Sequence, residues 1–273
     1  MKPGEEDLVY LYCVTEKAPE LKWVEELVNR LHFVYHRDLY AVVSIASYDE
    51  FSEENLKRNL SDMVWIKIKV DIHERIIERI MEGACVVPFK FATLFNSEDS
   101  LKMNLEEHAE EFKENLRRLG DKEEWGVKVY CDTGRLRNSI VREDGEIFKI
   151  DREIDSTSSQ GKAFFLKKKK EELMNMVVNK KLNEYGQDIF NRLREEGIEV
   201  RINKLLPKEV TERKDEMILN SAFLVGKGRV IAFISIVDIL KAQYNTLGLF
   251  LDCTGPWPPY NFCQMKPANG GAH

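Results

Sequence analysis

The chain has 273 residues, 43% hydrophobic and 32% charged, which suits two folded domains with their own cores and excludes a disordered chain. A formal net charge of −6 lacks the basic excess that phosphate attraction needs, which argues against a general nucleic-acid binder and leaves room only for a local basic patch. No apolar run reaches the roughly 20 residues of a bilayer span, and the nearest, Val230 to Leu240, is broken by Asp238.

Leu8 to Val14, rich in Val, Tyr and Leu, reads as a buried strand. Leu21, Val24, Leu27, Val28 and Leu31 have helical spacing, and His32–His36 and Leu39–Ile45 read as a hairpin turning at residues 36–38. Ser52, with Glu53 and Glu54 behind it, is an N-cap signal. One helix is expected from there to Gly83, with Val64, Ile68, Ile72, Ile76 and Ile80 along one face. Ile66 to Ile72 alternates with period two and alone would be a strand, but the spacing of four persists to Ile80 and favours helix. Val86 to Phe95 returns as a strand, which gives the order β-α-β-β-α-β of the ferredoxin-like fold.

Leu101, Leu105, His108, Phe112, Leu116 and Leu119 then step by three or four, with Asn96/Ser97 as cap and Gly120 as stop, so a single amphipathic helix bridging two halves is expected. The second half repeats the order. Trp125–Cys131 is a strand, Thr133–Gly161 a polar insertion or linker, and Lys162–Glu196 a long charged helix ended by Gly197. Ile198–Ile202 and Met217–Val225 are strands, Gly226–Tyr244 a helix and Leu247–Cys253 the last strand. The expected architecture is α+β: two tandem ferredoxin-like units, residues 1–95 and 121–265, joined by a helix at 96–120, with a disordered tail at 266–273.

Five cysteines without a CxxC pair fit buried thiols in a reducing compartment, and the first seven residues lack the apolar core of a signal peptide, so a cytoplasmic location is expected. No HExxH motif is present, and His32 and His36, though at HxxxH spacing, lie in a segment read as a strand, so no metal or cofactor is expected. His108, on an apolar stripe without a nucleophile or carboxylate spaced beside it, reads as a satisfied boundary histidine. Gly226-Lys227-Gly228-Arg229 lacks the GxxxxGK[ST] pattern and reads as a strand-to-helix turn. Lys167 to Lys170 reads as a solvated helix face before a docking surface for an acidic partner.

Two segments carry aromatic residues in unusual settings. Val86-Val87-Pro88-Phe89-Lys90-Phe91 places a proline in a strand, which confines it to an edge or bulge. Thr254-Gly255-Pro256-Trp257-Pro258-Pro259-Tyr260-Asn261-Phe262 holds Trp257 stiff and extended between prolines. Packing within their own domain is the favoured reading of these rings, and partner docking through Phe89, Phe91, Trp257, Tyr260 and Phe262 is the sharper one.

Four blocks in order, Val86–Phe95, Glu123–Tyr130, Glu216–Val225 and Leu251–Phe262, resemble the gas vesicle GvpL/GvpF family, with coverage from about residue 7 to 263. The resemblance implies a non-catalytic accessory or minor structural protein of gas vesicles. It would sit in the cytoplasm and at the vesicle, and contact the small hydrophobic shell protein GvpA and other accessory Gvp proteins. The rival readings on a ferredoxin-like fold are an RNA-binding or a ligand-sensing module, and neither Leu8–Val14 nor Trp125–Cys131 shows the RNA-binding strand pattern.

Overall fold

The computed structural model describes residues 7–21, 27–28 and 30–263. They form two units, one of the residues up to Glu123 together with Trp257 onward, the other Glu124–Pro256. The first unit is thus interrupted in sequence, and most of the closing aromatic segment belongs to it, where the 121–265 boundary had placed that segment in the second. The helix expected at 21–31 and the tail at 266–273 lie largely or wholly outside the described residues.

In the first unit β1 (Leu8–Thr15) is buried along its whole length, as a strand with both faces covered must be. β2 (His32–His36) and β3 (Leu39–Ala46) form the hairpin. Its two turn residues, Arg37 and Asp38, have φ of 54° and 62°, the pair of positive angles that a two-residue primed turn requires.

After a short α1 (Tyr48–Phe51), two helices fill the span where one was expected, α2 (Glu53–Asn59) and α3 (Met63–Met81). Ser52 caps α2, and Asp62 accepts from the N–H groups of Val64 and Trp65 to start α3 afresh. The alternating stretch Ile66–Ile72 is helix. Its buried stripe is His73, Ile76, Ile77 and Ile80, whereas Val64 and Ile68 are exposed. A spacing of four overshoots one helical turn by about 40°, so a row that long winds off the core-facing side.

The expected strand at 86–95 is two short pieces, β4 (Val87–Pro88) and β5 (Leu94–Phe95), both antiparallel to β1. Cys13 faces Pro88 while Tyr10 faces Leu94, so residues 89–93 loop out of the sheet edge, where a proline is tolerated. The strand order is β2-β3-β1-β4, with β5 also on β1. The helix expected to bridge two halves is α4 (Glu98–Glu107) and α5 (Ala109–Leu119), broken at His108. Both pack on the first unit, with Leu101, Leu105, Phe112 and Leu116 against Val9, Leu11 and Val34, while α3 covers the opposite face.

The second unit begins with β6 (Lys122–Cys131). The expected linker is instead α6 (Thr133–Glu143) and α7 (Gly145–Ser156), capped by Asp132 and Asp144. Leu136, Ile140 and Ile147 are fully buried there. α8 (Gln160–Arg194), β7 (Glu199–Ile202), α9 (Lys208–Thr211) and β8 (Glu216–Gly226) follow. After a 3-10 turn at Lys227–Arg229 come α10 (Val230–Asn245) and β9 (Leu249–Trp257). The order β7-β8-β6-β9 puts β9 at an edge, which lets it run past Cys253 through Pro256. A Cβ at Gly255, where φ is 145°, would lie 2.8 Å from the Glu124 carbonyl oxygen and 3.1 Å from the Trp125 ring, so only glycine allows this approach.

Because Ile140 is core and not linker, Ile140→Ala should lower the unfolding free energy in urea by about 2–4 kcal/mol. A loss below about 0.5 kcal/mol, the size of a surface substitution, would return residues 133–161 to the status of an insertion.

Candidate functional site

Side chains distant in sequence converge in the first unit on His73. Alternation along β1 points Leu8, Tyr10 and Tyr12 to the face covered by α3, and the helical stripe of α3 points His73 back at them. The Phe89 carbonyl can only accept, so His73 Nε2 carries the proton and donates to it at 3.1 Å, with the Tyr260 hydroxyl 3.2 Å away on the same side. His73 Nδ1 then accepts from the Tyr10 hydroxyl at 3.0 Å. Tyr10 in turn receives the Ala92 N–H at 2.8 Å, and Tyr260 donates to Glu74 at 3.1 Å.

Burial sets the charge state of this network. It pulls the His73 imidazole down from 6.5 to about 4, against the Phe89 carbonyl, which favours the protonated ring. Burial likewise raises the Tyr10 and Tyr260 phenols, and pushes Tyr12, bonded to Ser44 at 2.9 Å, up to about 12. Imidazole and phenols are therefore neutral near pH 7, an arrangement for fixing positions. Rings of Tyr10, Tyr12 and Phe91 pack around His73, with Phe91 6.0 Å and Tyr12 5.5 Å from the imidazole centroid, and Phe51 packs edge-on against Tyr10. Beside them a cavity of about 380 Å³ is lined by Tyr10, Tyr12, Ser44, Lys69, His73 and Phe91 among others. Lys69 pairs with Glu50 at 2.8 Å over the Phe51 ring.

The five residues singled out in the sequence do not form one surface. Phe91 and Tyr260 pack on the α3 side of the sheet, while Phe89 lies on the α5 side, 5.8 Å from Phe112. Phe262 is fully buried, and its carbonyl accepts from Arg118. Trp257 is 39% exposed. His73 and Tyr10, the centre of the network, were missed as a pair; the signal was Tyr10 and Tyr12 at period two in β1 and a histidine on the apolar stripe of α3.

The other motifs resolve as follows. His108 pairs with Glu111 at 3.1 Å, a satisfied boundary histidine that nonetheless breaks its helix. His32 and His36 contact Glu98 and Glu106 at 3.1 and 2.8 Å. Lys169 and Lys170 reach Glu146 and Asp151 of α7, so half of the lysine run is spent within the unit.

A family model described as gas vesicle synthesis protein GvpL/GvpF matches residues 8–264. The chain belongs to the GvpL/GvpF family. It is 24% identical to gas vesicle protein L of a Streptomyces species over 84% of this chain and 82% of that protein. Gas vesicle protein F of Haloferax mediterranei is 23% identical over 95% of this chain and 94% of its own length. The crystal structure of GvpF from Anabaena superposes with a TM-score of 0.70 at 16% identity, covering 96% of this chain and all of that one, which shows a shared mixed helix-and-sheet fold. Membership gives the chain a role in gas vesicle formation and ties it to Gvp proteins in general. Among the described residues no helix is long and apolar enough to cross a membrane.

The His73 environment makes a prediction about pH. Between pH 6.5 and 4 the unfolded chain binds a proton at this imidazole that the folded chain refuses. Stability contributed by the neutral ring is complete above pH 6.5 and is lost as pH falls, by up to about 3 kcal/mol. Urea unfolding of the wild type and of His73→Gln across this range should show the variant with the flatter profile. Equal slopes would contradict a buried neutral imidazole.

Proposed function

We propose that this GvpL/GvpF family member works without turnover, by stoichiometric binding of the small hydrophobic shell protein GvpA and of other Gvp proteins during nucleation or assembly of the vesicle wall. A shell subunit with a large apolar surface aggregates unless that surface is covered until it is placed. The observation that carries the proposal is the family match along nearly the whole chain. The surface is consistent with it. Trp257 stands partly exposed between Pro256 and Pro258, and Phe91 lines the cavity of the first unit. These two are the docking contacts proposed. Tyr260, Phe262 and Phe89 then act from behind, holding the closing segment and the 89–93 loop in place.

We further propose that each unit is a ferredoxin-like βαββαβ element, a fold that offers sheet edges and helix faces to partners. The two strand orders, β2-β3-β1-β4 and β7-β8-β6-β9, support this reading, because each puts the first strand of its unit inside, next to the third. The protein would act in the cytoplasm and at the growing vesicle.

Co-expressed shell protein should be recovered with the wild-type chain. Recovery should fall at least about tenfold with Phe91→Ser combined with Trp257→Ser, the loss expected when two anchor rings are removed. Full recovery by a variant whose circular dichroism matches the wild type would remove these residues from the contact. No recovery with the wild type would remove the shell subunit as the partner.

A further inference from the structure

We propose that the β2 edge of the first unit is a self-association surface, on which a second copy of this chain adds its own β2 antiparallel. Sheet edges in monomeric proteins are guarded by prolines, bulges or lysines. The fourth-strand edge of each sheet here is guarded: Pro88 and the 89–93 loop interrupt one, and Pro256 the other. β2, His32-Phe33-Val34-Tyr35-His36, has no proline, lysine or bulge, and its pairing with β3 is regular over all five residues. Among the described residues no strand lies beyond it.

The occupant follows from what this edge presents. Phe33 is 40% and Tyr35 54% exposed, and their rings lean on Tyr40 at 5.2 and 4.9 Å, forming an aromatic patch at the rim. In a twofold pair centred on Val34, Phe33 of one copy lies directly opposite Tyr35 of the other, on the same face, twice. Cross-strand aromatic pairs stabilise antiparallel strands. Centring on Phe33 or Tyr35 leaves one aromatic pair on the axis in place of two. The edge is thus complementary to itself in one register.

Sedimentation of the full chain over a concentration series should show the mass rising from monomer to dimer. Phe33→Lys with Tyr35→Lys, both exposed positions, should weaken the dimer at least about tenfold. Register is read by cysteine cross-linking. Phe33→Cys chains mixed with Tyr35→Cys chains should cross-link several-fold more than either alone, because only the mixture puts cysteines directly opposite. A monomer at every concentration overturns the proposal, as does a dimer indifferent to the lysines or a Phe33→Cys chain that cross-links equally well by itself. A monomer whose β2 amides gain exchange protection only when shell protein is added would assign the edge to that partner and overturn it too.

Discussion

Completion of the first unit by residues that arrive at the end of the chain is the constraint on which the structure turns. After Glu123 the polypeptide builds the whole second unit before Trp257 brings it back. The returning segment does more than lie on the surface: Phe262 is fully buried, its carbonyl takes the Arg118 guanidinium, and Tyr260 enters the His73 and Glu74 network. Burial of a phenylalanine ring alone is worth about 2–3 kcal/mol, a large share of a typical domain's net stability. The first unit therefore has its full core only when the chain is complete. The prolines at 256, 258 and 259 serve this return, because residues preset to extended angles lose less freedom when they are fixed.

The network also explains why two polar helical neighbours, His73 and Glu74, sit where an apolar stripe would be simpler. Each of its hydrogen bonds joins separate pieces of the unit: β1 to α3, α3 to the 89–93 loop, and α3 to the closing segment. Apolar contacts alone would hold these pieces together but would not fix their register. A neutral imidazole between a carbonyl and phenols does fix it, at a cost in desolvation that the bonds must offset. Phe91, which faces the cavity, is held by that same loop.

Much of this was legible in the sequence. The hairpin at 32–46 was, because alternation and a tight turn are local. The long helix from about 160 to 194 was too. Three features were hidden for physical reasons. The helices at 133–156 carry only a narrow buried stripe, Leu136, Ile140, Ile147 and Ile150, inside a charged sequence that reads as linker. The breaks at Asp62 and His108 lie within apolar periodicity that continues across them. The destination of the aromatic tail is a long-range fact: composition says that Tyr260 and Phe262 need burial, but not in which unit. For the same reason His73 could be examined only for local metal spacing, while its partners lie 63 and 187 positions away.

In this GvpL/GvpF family member the core of the first unit depends on residues 257–263 being seated. Hydrogen exchange on the full-length chain carrying Phe262→Ala tests that dependence most directly. The β1 amides should lose protection by an amount corresponding to about 3–5 kcal/mol, while β8 in the second unit keeps its protection. Unchanged protection in β1, or an equal loss in both sheets, would contradict it.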